Sequence, residues 1–201
     1  MSFKSKKRFL FGLMICSFLC VFIVIMLSMG GLGKKPLVLK TGSAEAMYSG
    51  TLLACEEYEI EGLEKDRYAV VTFSESRKDA GLSINYATVS IFDDEDRDVT
   101  NEYRITNEFG TLKILPRELC IQSMSAEKTF DGTPLTNHEY VIVSGQIVEG
   151  DDLRIDFKGT QTSIGYCDNY FRVDIVDRAS KITVKNNYKI TYIYGKLTVS
   201  S

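Results

Sequence analysis

Beyond residue 36 the chain alternates apolar and polar residues with a period of two. Leu153–Phe157 shows this most clearly, because the charged Arg154 and Asp156 stand between apolar neighbours. Its counterpart Ala69–Phe73 keeps the same inward positions apolar. This alternation predicts strands with one buried and one wet side, which are typical of antiparallel sheets. No segment of about 12 residues in this part has a convincing helical period.

Glycine-bearing turns separate the expected strands. Ser49-Gly50 and Asp131-Gly132 each predict a turn, since glycine readily adopts a positive φ. The final segments Tyr188–Thr191 and Gly195–Val199 predict a hairpin. Short strands at such spacing predict all-β, sandwich-like domains. The other expected strands are Leu37–Lys40, Glu57–Gly62, Tyr86–Asp93, His138–Gly145 and Tyr170–Asp177.

The soluble part also contains an internal repeat. Ser43–Glu45 recurs as Ser125–Glu127, and Tyr48–Thr51 recurs as Phe130–Thr133, both 82 residues later. Further matches continue to the end of the chain, with small insertions in turns, where length changes are tolerated. We therefore predict two tandem β repeats, 37–115 and 116–201, joined by a short segment that Pro116 stiffens.

The N-terminal 36 residues differ from the rest. Residues 1–8 are basic, and 9–29 form an uncharged run of 21 residues, long enough for a helix to cross a bilayer. We interpret this run as an uncleaved signal-anchor rather than a cleaved signal peptide. The basic residues before it predict a single-pass protein of the cell membrane, with 1–8 in the cytoplasm, a linker at 30–36 and the repeats outside.

The net charge of the chain beyond Pro36 excludes some classes of binding partner. Beyond Pro36 the chain has 27 acidic and 18 basic residues, so this part is acidic. An acidic surface argues against nucleic acid as a ligand. The expected partners are the membrane, through the N-terminal helix, and a surface protein or glycan.

Motifs in the second repeat resemble the Tyr-Asp-Gly type repeats of bacterial cell-surface proteins and adhesins, and the first repeat matches more loosely because Ser49 stands where that family has Asp. The resemblance implies an exported bacterial β module, either Ig-like or β-grasp-like, and brings no catalytic residues. The motifs are Thr129–Thr136, Gly145, Gly150-Asp151, Gly159, Gly165, Asn169, Asn187–Ile190 and Gly195–Val199.

Two groups of residues are candidates for chemistry. An acidic turn at residues 93–98 offers oxygen ligands for calcium, although it fails the EF-hand pattern and a solvated turn is the favoured interpretation. His138 is the only histidine, and its repeat counterpart is Glu56, so a polar surface role is favoured over a catalytic relay. The candidate calcium ligands are Asp93, Asp94, Asp96 and Asp98.

Tyrosines found in the second repeat alone are the candidate ligand contacts: Tyr166, Tyr192 and Tyr194. Aromatic residues shared by both repeats are better explained by packing. We therefore predict a membrane-anchored surface protein that is not an enzyme, needs no cofactor, and uses its β modules as adhesive or spacer units. The alternative is an accessory subunit that scaffolds or senses within a membrane complex.

Overall fold

The computed structural model describes residues 33–201, and these residues form an all-β protein with two short 3-10 turns, Thr100–Glu102 and Lys185–Asn187. The all-β prediction is confirmed. The strands are β1 (Lys35–Thr41), β2 (Ala44–Met47), β3 (Tyr58–Glu61), β4 (Arg67–Phe73), β5 (Gly81–Ile84), β6 (Ala87–Asp93), β7 (Tyr103–Glu108), β8 (Thr111–Leu115), β9 (Arg117–Ser123), β10 (Ala126–Thr129), β11 (Tyr140–Ser144), β12 (Asp151–Phe157), β13 (Gly165–Asp168), β14 (Phe171–Asp177), β15 (Tyr188–Ile193) and β16 (Lys196–Ser200).

The predicted basic segment 1–8 and membrane span 9–29 lie outside the described residues. Within residues 33–201 no helix has the length and apolar character needed to cross a bilayer.

The described residues form two compact units. The first contains the described chain up to Lys40 with Tyr58–Thr72 and Ala87–Glu108, and the second contains Thr41–Glu57, Phe73–Tyr86 and Phe109–Ser201. The first has sheets of order β3-β1-β7 and β4-β6. The second has β2-β8-β5, β11-β9-β15, β12-β14 and β10-β16-β13. Each sheet formed by strands β9–β16 has the same strand order as a sheet formed by strands β1–β8. The repeat boundaries 37–115 and 116–201 stay a prediction.

The sheets are mixed, so the prediction of purely antiparallel sheets is wrong. β9 pairs with β11 in antiparallel and with β15 in parallel, and β16 pairs with β13 in antiparallel and with β10 in parallel. Both kinds of ladder give a side-chain period of two, so alternation cannot reveal the direction of a neighbouring strand.

The predicted hairpin at the end of the chain is also wrong. β15 and β16 follow each other closely but lie in different sheets, with β9 and β10 as their respective parallel neighbours. Gly195 marks the crossing from one sheet to the other. A Cβ atom there would lie 2.6 Å from the carbonyl carbon of Met124, so only glycine fits.

The core of the second unit lies where apolar residues of β9, β14 and β15 meet. Ile121 and Ile175 are fully buried, and Leu119 and Phe171 are almost so. Side chains of this size stabilise the fold by roughly 1.5–3 kcal/mol each when they leave water. This core holds β12 and β14 in place and so positions the side chains described next.

A buried asparagine fixes the corner beside Gly195. Asn169 is fully buried, and its Nδ2 donates to the carbonyl oxygens of Met124 and Asn137, each at 2.9 Å. Ser123 Oγ donates to the Asn169 carbonyl oxygen at 2.6 Å. The same pattern recurs at Asn85, whose Nδ2 donates to two backbone carbonyls. The matching asparagines of the sequence repeat are therefore structural.

Candidate functional site

An open groove of about 390 Å³ lies in the second unit. Tyr140 of β11 and His138, just before that strand, contribute to its lining. The other contributors, Ile155, Asp156 and Phe157, come from consecutive positions of β12. β11 and β12 are not hydrogen-bonded to each other, because β11 pairs with β9 and β12 pairs with β14. The groove therefore has an edge strand of one sheet and an edge strand of another among its walls.

Aromatic rings in direct contact run from this groove into the core and out again. The imidazole of His138 stacks on Phe157 with 5.3 Å between ring centroids and 22° between planes. Phe157 contacts Phe171 at 5.7 Å, and the two residues are paired across β12 and β14. Phe171 contacts both Tyr192 and Tyr194 at 5.6 Å. We call these five residues the aromatic row.

Two of the three predicted contact tyrosines belong to the aromatic row. The ring centroids of Tyr192 and Tyr194 lie 6.3 Å apart, and Tyr194 is 42% exposed. Contacts between aromatic rings add about 0.5–1.5 kcal/mol each to the free energy of packing, which holds such a pair in a defined orientation. The row therefore has a fixed, buried centre at Phe171 and solvent-facing rings at both ends.

The third predicted tyrosine stands apart from the row. Tyr166 lies on β13, in the sheet β10-β16-β13, and is 68% exposed. The Lys196 ammonium lies 4.6 Å from its ring centroid, close enough for a cation–π contact. The three tyrosines thus divide into a pair on the row and one separate surface residue.

His138 does not form a catalytic relay with any group in residues 33–201. Its side chain is exposed and its ring stacks on Phe157, while no hydroxyl, thiol or carboxylate of the described chain hydrogen-bonds to the imidazole. The thiols of Cys55, Cys120 and Cys167 are free, and Cys167 Sγ donates to the backbone oxygen of Thr160 at 3.3 Å. This arrangement can supply stacking and a polar edge to a bound molecule.

The acidic turn lies in the first unit, and several of its carboxylates accept hydrogen bonds from other groups of the protein. Asp93 is buried, and it accepts from the backbone nitrogens of Glu95 and Arg97 and from Arg97 Nε. The backbone bond from Arg97, followed by the other donors, lowers the pKa of Asp93. Asp96 accepts from Tyr68 at 2.7 Å, and Asp98 from the backbone nitrogen of Thr100 at 2.9 Å.

In the described residues no group of three or more His, Cys, Asp or Glu side chains is arranged to hold a metal ion. Asp94 is exposed in the same turn. The calcium hypothesis for the four aspartates stays a prediction.

A buried polar cluster that the sequence does not reveal lies at the end of β12. Asp151 is 6% exposed, and its Oδ2 accepts hydrogen bonds from the hydroxyls of Tyr188 at 2.7 Å and Tyr48 at 3.2 Å. The Tyr188 hydroxyl in turn accepts from the backbone nitrogen of Val148 at 2.9 Å. Burial raises the pKa of Tyr48 to about 12 and the pKa of Tyr188 further above its ordinary value.

The cluster joins two segments far apart in the chain. The rings of Tyr48 and Tyr188 meet edge to face at 5.6 Å. Nearby, the buried Asn187 accepts from the backbone nitrogen of Ala80 at 2.7 Å and donates to Asp79 at 2.8 Å. These contacts connect residues of the two sequence repeats inside one compact unit. The shared aromatic positions pointed to packing, but no local pattern could reveal their partner.

Compared with protein families, with curated proteins and with solved structures, the chain matches none.

Proposed function

We propose that this chain is a non-catalytic, membrane-anchored bacterial surface protein whose tandem β modules act as adhesive or spacer units that bind a protein or glycan. The aromatic row beside an open groove is the observation that carries this proposal. The exposed ends of the row supply flat apolar faces with polar edges, which suit both sugar rings and protein side chains.

The chemistry of the groove supports binding rather than turnover. Asp156 is exposed, and its carboxylate forms an ion pair with Lys158 at 2.7 Å. The imidazole of His138 stacks on the ring of Phe157, and no hydroxyl or thiol of residues 33–201 hydrogen-bonds to it. A ligand would therefore meet aromatic surface, one carboxylate and one imidazole, which can orient it without reacting with it.

The buried polar cluster around Asp151 supports the spacer role. Tyr48, Asp151 and Tyr188 share hydrogen bonds in a water-poor site, and Arg117 Nε donates to the Tyr48 carbonyl oxygen at 3.1 Å. Hydrogen bonds to a buried charge contribute more than neutral ones, about 1.5–3 kcal/mol each. These hydrogen bonds hold residues of both sequence repeats together inside one compact unit. We propose that the repeats are Ig-like sandwich modules that act as a spacer.

Anchoring rests on the sequence alone. The uncharged run 9–29 after a basic segment is the basis for proposing a single-pass protein with its repeats outside the cell membrane.

The proposed contact surface is tested by capture of ligands from host-matrix and cell-envelope extracts with the full chain in detergent. Tyr192→Ala/Tyr194→Ala is expected to weaken binding of a captured ligand at least tenfold, because truncating an aromatic contact residue costs about 1–2 kcal/mol or more.

Tyr86→Ala is the matched control. Tyr86 is 45% exposed and packs edge-on against Phe109 at 5.2 Å, much as Tyr194 packs against Phe171. Equal binding by the wild-type chain and the double variant, with both folded, would contradict the assignment of the row as the contact surface.

A further inference from the structure

The free edge of β11 differs in chemistry from the edge strand at the same place in the other repeat. β11 is one of the two outer strands of β11-β9-β15, and β3 is the corresponding outer strand of β3-β1-β7. Both begin with Tyr and carry Ile two positions later, but Glu59 and Glu61 of β3 are replaced by Val141 and Val143 of β11. The exchange removes two negative charges from an exposed strand edge.

Charged side chains on an edge strand are a common protection against pairing with another chain. In β3 the protection is present, and Glu61 also forms an ion pair with Lys40. In β11 it is absent: Val141 is 45% exposed, Val143 is 51% exposed, and no charged residue occurs from Tyr140 to Val148. Within residues 33–201, β11 pairs with a strand on one side only, and its other side presents backbone groups beside exposed, strand-favouring side chains.

The groove adds apolar surface beside this edge. Tyr140 of β11 lines the groove together with Ile155 and Phe157 of β12, and both of these side chains are partly exposed. A strand added to β11 would send alternate side chains toward this surface.

We propose that β11 pairs in antiparallel with β11 of a second copy of this chain, joining two three-stranded sheets into one of six strands. The absence of charged side chains on β11 is the reason for proposing a second copy as its partner. Two β11 strands bring only uncharged Tyr, Val, Ile and Ser side chains together, whereas two β3 strands would set glutamates against glutamates. A two-fold pair uses the β11 edge of both copies, so pairing through β11 stops at a dimer. This inference does not depend on the ligand of the proposed function.

The pairing is expected to be weak and reversible. The register of β11 shifts between Ile142 and Ser144, which leaves Tyr140–Ile142 as its regular part. A bulge shortens the stretch available to a partner strand. So short an interface falls in the small, transient class, with dissociation constants in the range of about 10 μM to 1 mM.

Sedimentation of the full chain in density-matched detergent tests the proposal. The wild-type chain is expected to form dimers as its concentration rises, and Val141→Glu/Val143→Glu is expected to weaken dimerisation at least tenfold. The variant restores the residues that β3 carries at the same positions, so the fold accommodates them. Val70→Glu is the control, since Val70 is 48% exposed on β4.

Hydrogen exchange gives a second readout, because amide protection confined to β11 should rise with concentration in the wild type. A wild-type chain that stays monomeric to about 1 mM would overturn the proposal. So would a dimer that persists in the Val141→Glu/Val143→Glu variant or is lost in Val70→Glu. A monomeric chain that protects β11 only when an unrelated peptide is added would assign the edge to a foreign strand and equally overturn it.

Discussion

Replacing Asp151 with alanine should destabilise the second unit more than any other single removal of a carboxylate there. The carboxylate is 6% exposed and is the acceptor for two buried tyrosine hydroxyls, Tyr188 at 2.7 Å and Tyr48 at 3.2 Å. The variant leaves both hydroxyls without this acceptor in a site that is almost completely buried.

The size of the effect follows from the groups left unpaired. A buried donor that loses its partner costs about 1–3 kcal/mol, and bonds to a charged acceptor lie in the upper part of that range. The shorter bond from Tyr188 should dominate, so we expect a loss of about 3 kcal/mol in the free energy of unfolding for Asp151→Ala. Tyr48→Phe should cost about 1 kcal/mol, and Tyr188→Phe about 2 kcal/mol because it also leaves the Val148 amide unpaired.

Urea unfolding of the full chain in detergent, followed by far-ultraviolet circular dichroism, measures these differences. Asp156→Ala is the control on the same strand, since that carboxylate is exposed and its ion pair with Lys158 is worth at most about 1 kcal/mol. An Asp151→Ala chain as stable as the wild type, or a Tyr48→Phe chain less stable than Tyr188→Phe, would refute this account of the cluster.

At alkaline pH the second unit should lose stability, because burial raises the pKa of Tyr48 from 10.0 to about 12 while the unfolded chain deprotonates near 10.0. The stabilisation is complete below about pH 10 and is lost as pH rises through about 12. The free energy of unfolding should therefore fall less steeply with pH in this range for Tyr48→Phe than for the wild type. Asn169→Ala should cost about 2–4 kcal/mol, since two backbone carbonyls lose their donor, whereas the exposed Asn186→Ala should change the free energy of unfolding by less than about 0.5 kcal/mol. The ammonium of Lys128, followed by the donors of Thr133, holds the pKa of Asp131 well below its usual range; Lys128→Ala should raise it toward 3.8 in an NMR titration, and an unchanged pKa would exclude that cause.

Local features of the fold could be predicted from the sequence. Alternation within Leu153–Phe157 predicts a strand, and the structure contains it as β12. Ser49-Gly50 and Asp131-Gly132 predict turns, and in the structure the two glycines have φ angles of 77° and 79°. Such features depend on neighbours in the chain, so a short window of residues carries them.

Features that depend on distant partners could not be predicted in this way. β15 and β16 look like a hairpin because a glycine separates them, yet each finds a parallel neighbour about 70 residues earlier in the chain. The sequence distinguishes Tyr192 and Tyr194 because they occur in one repeat alone. Their contact with Phe171, and through it with Phe157 and His138, depends on the pairing of β12 with β14.

The central claim is that the aromatic row contacts the ligand, and the single histidine of the chain allows a direct measurement. The imidazole of His138 stacks on Phe157 in the groove, so its NMR signals report on this site alone. We predict that a ligand captured by the full chain shifts these signals in proportion to the bound fraction, and that Tyr192→Ala/Tyr194→Ala weakens the response. Saturating binding that leaves the His138 signals unmoved would contradict the account, as would conversion of the ligand into a product.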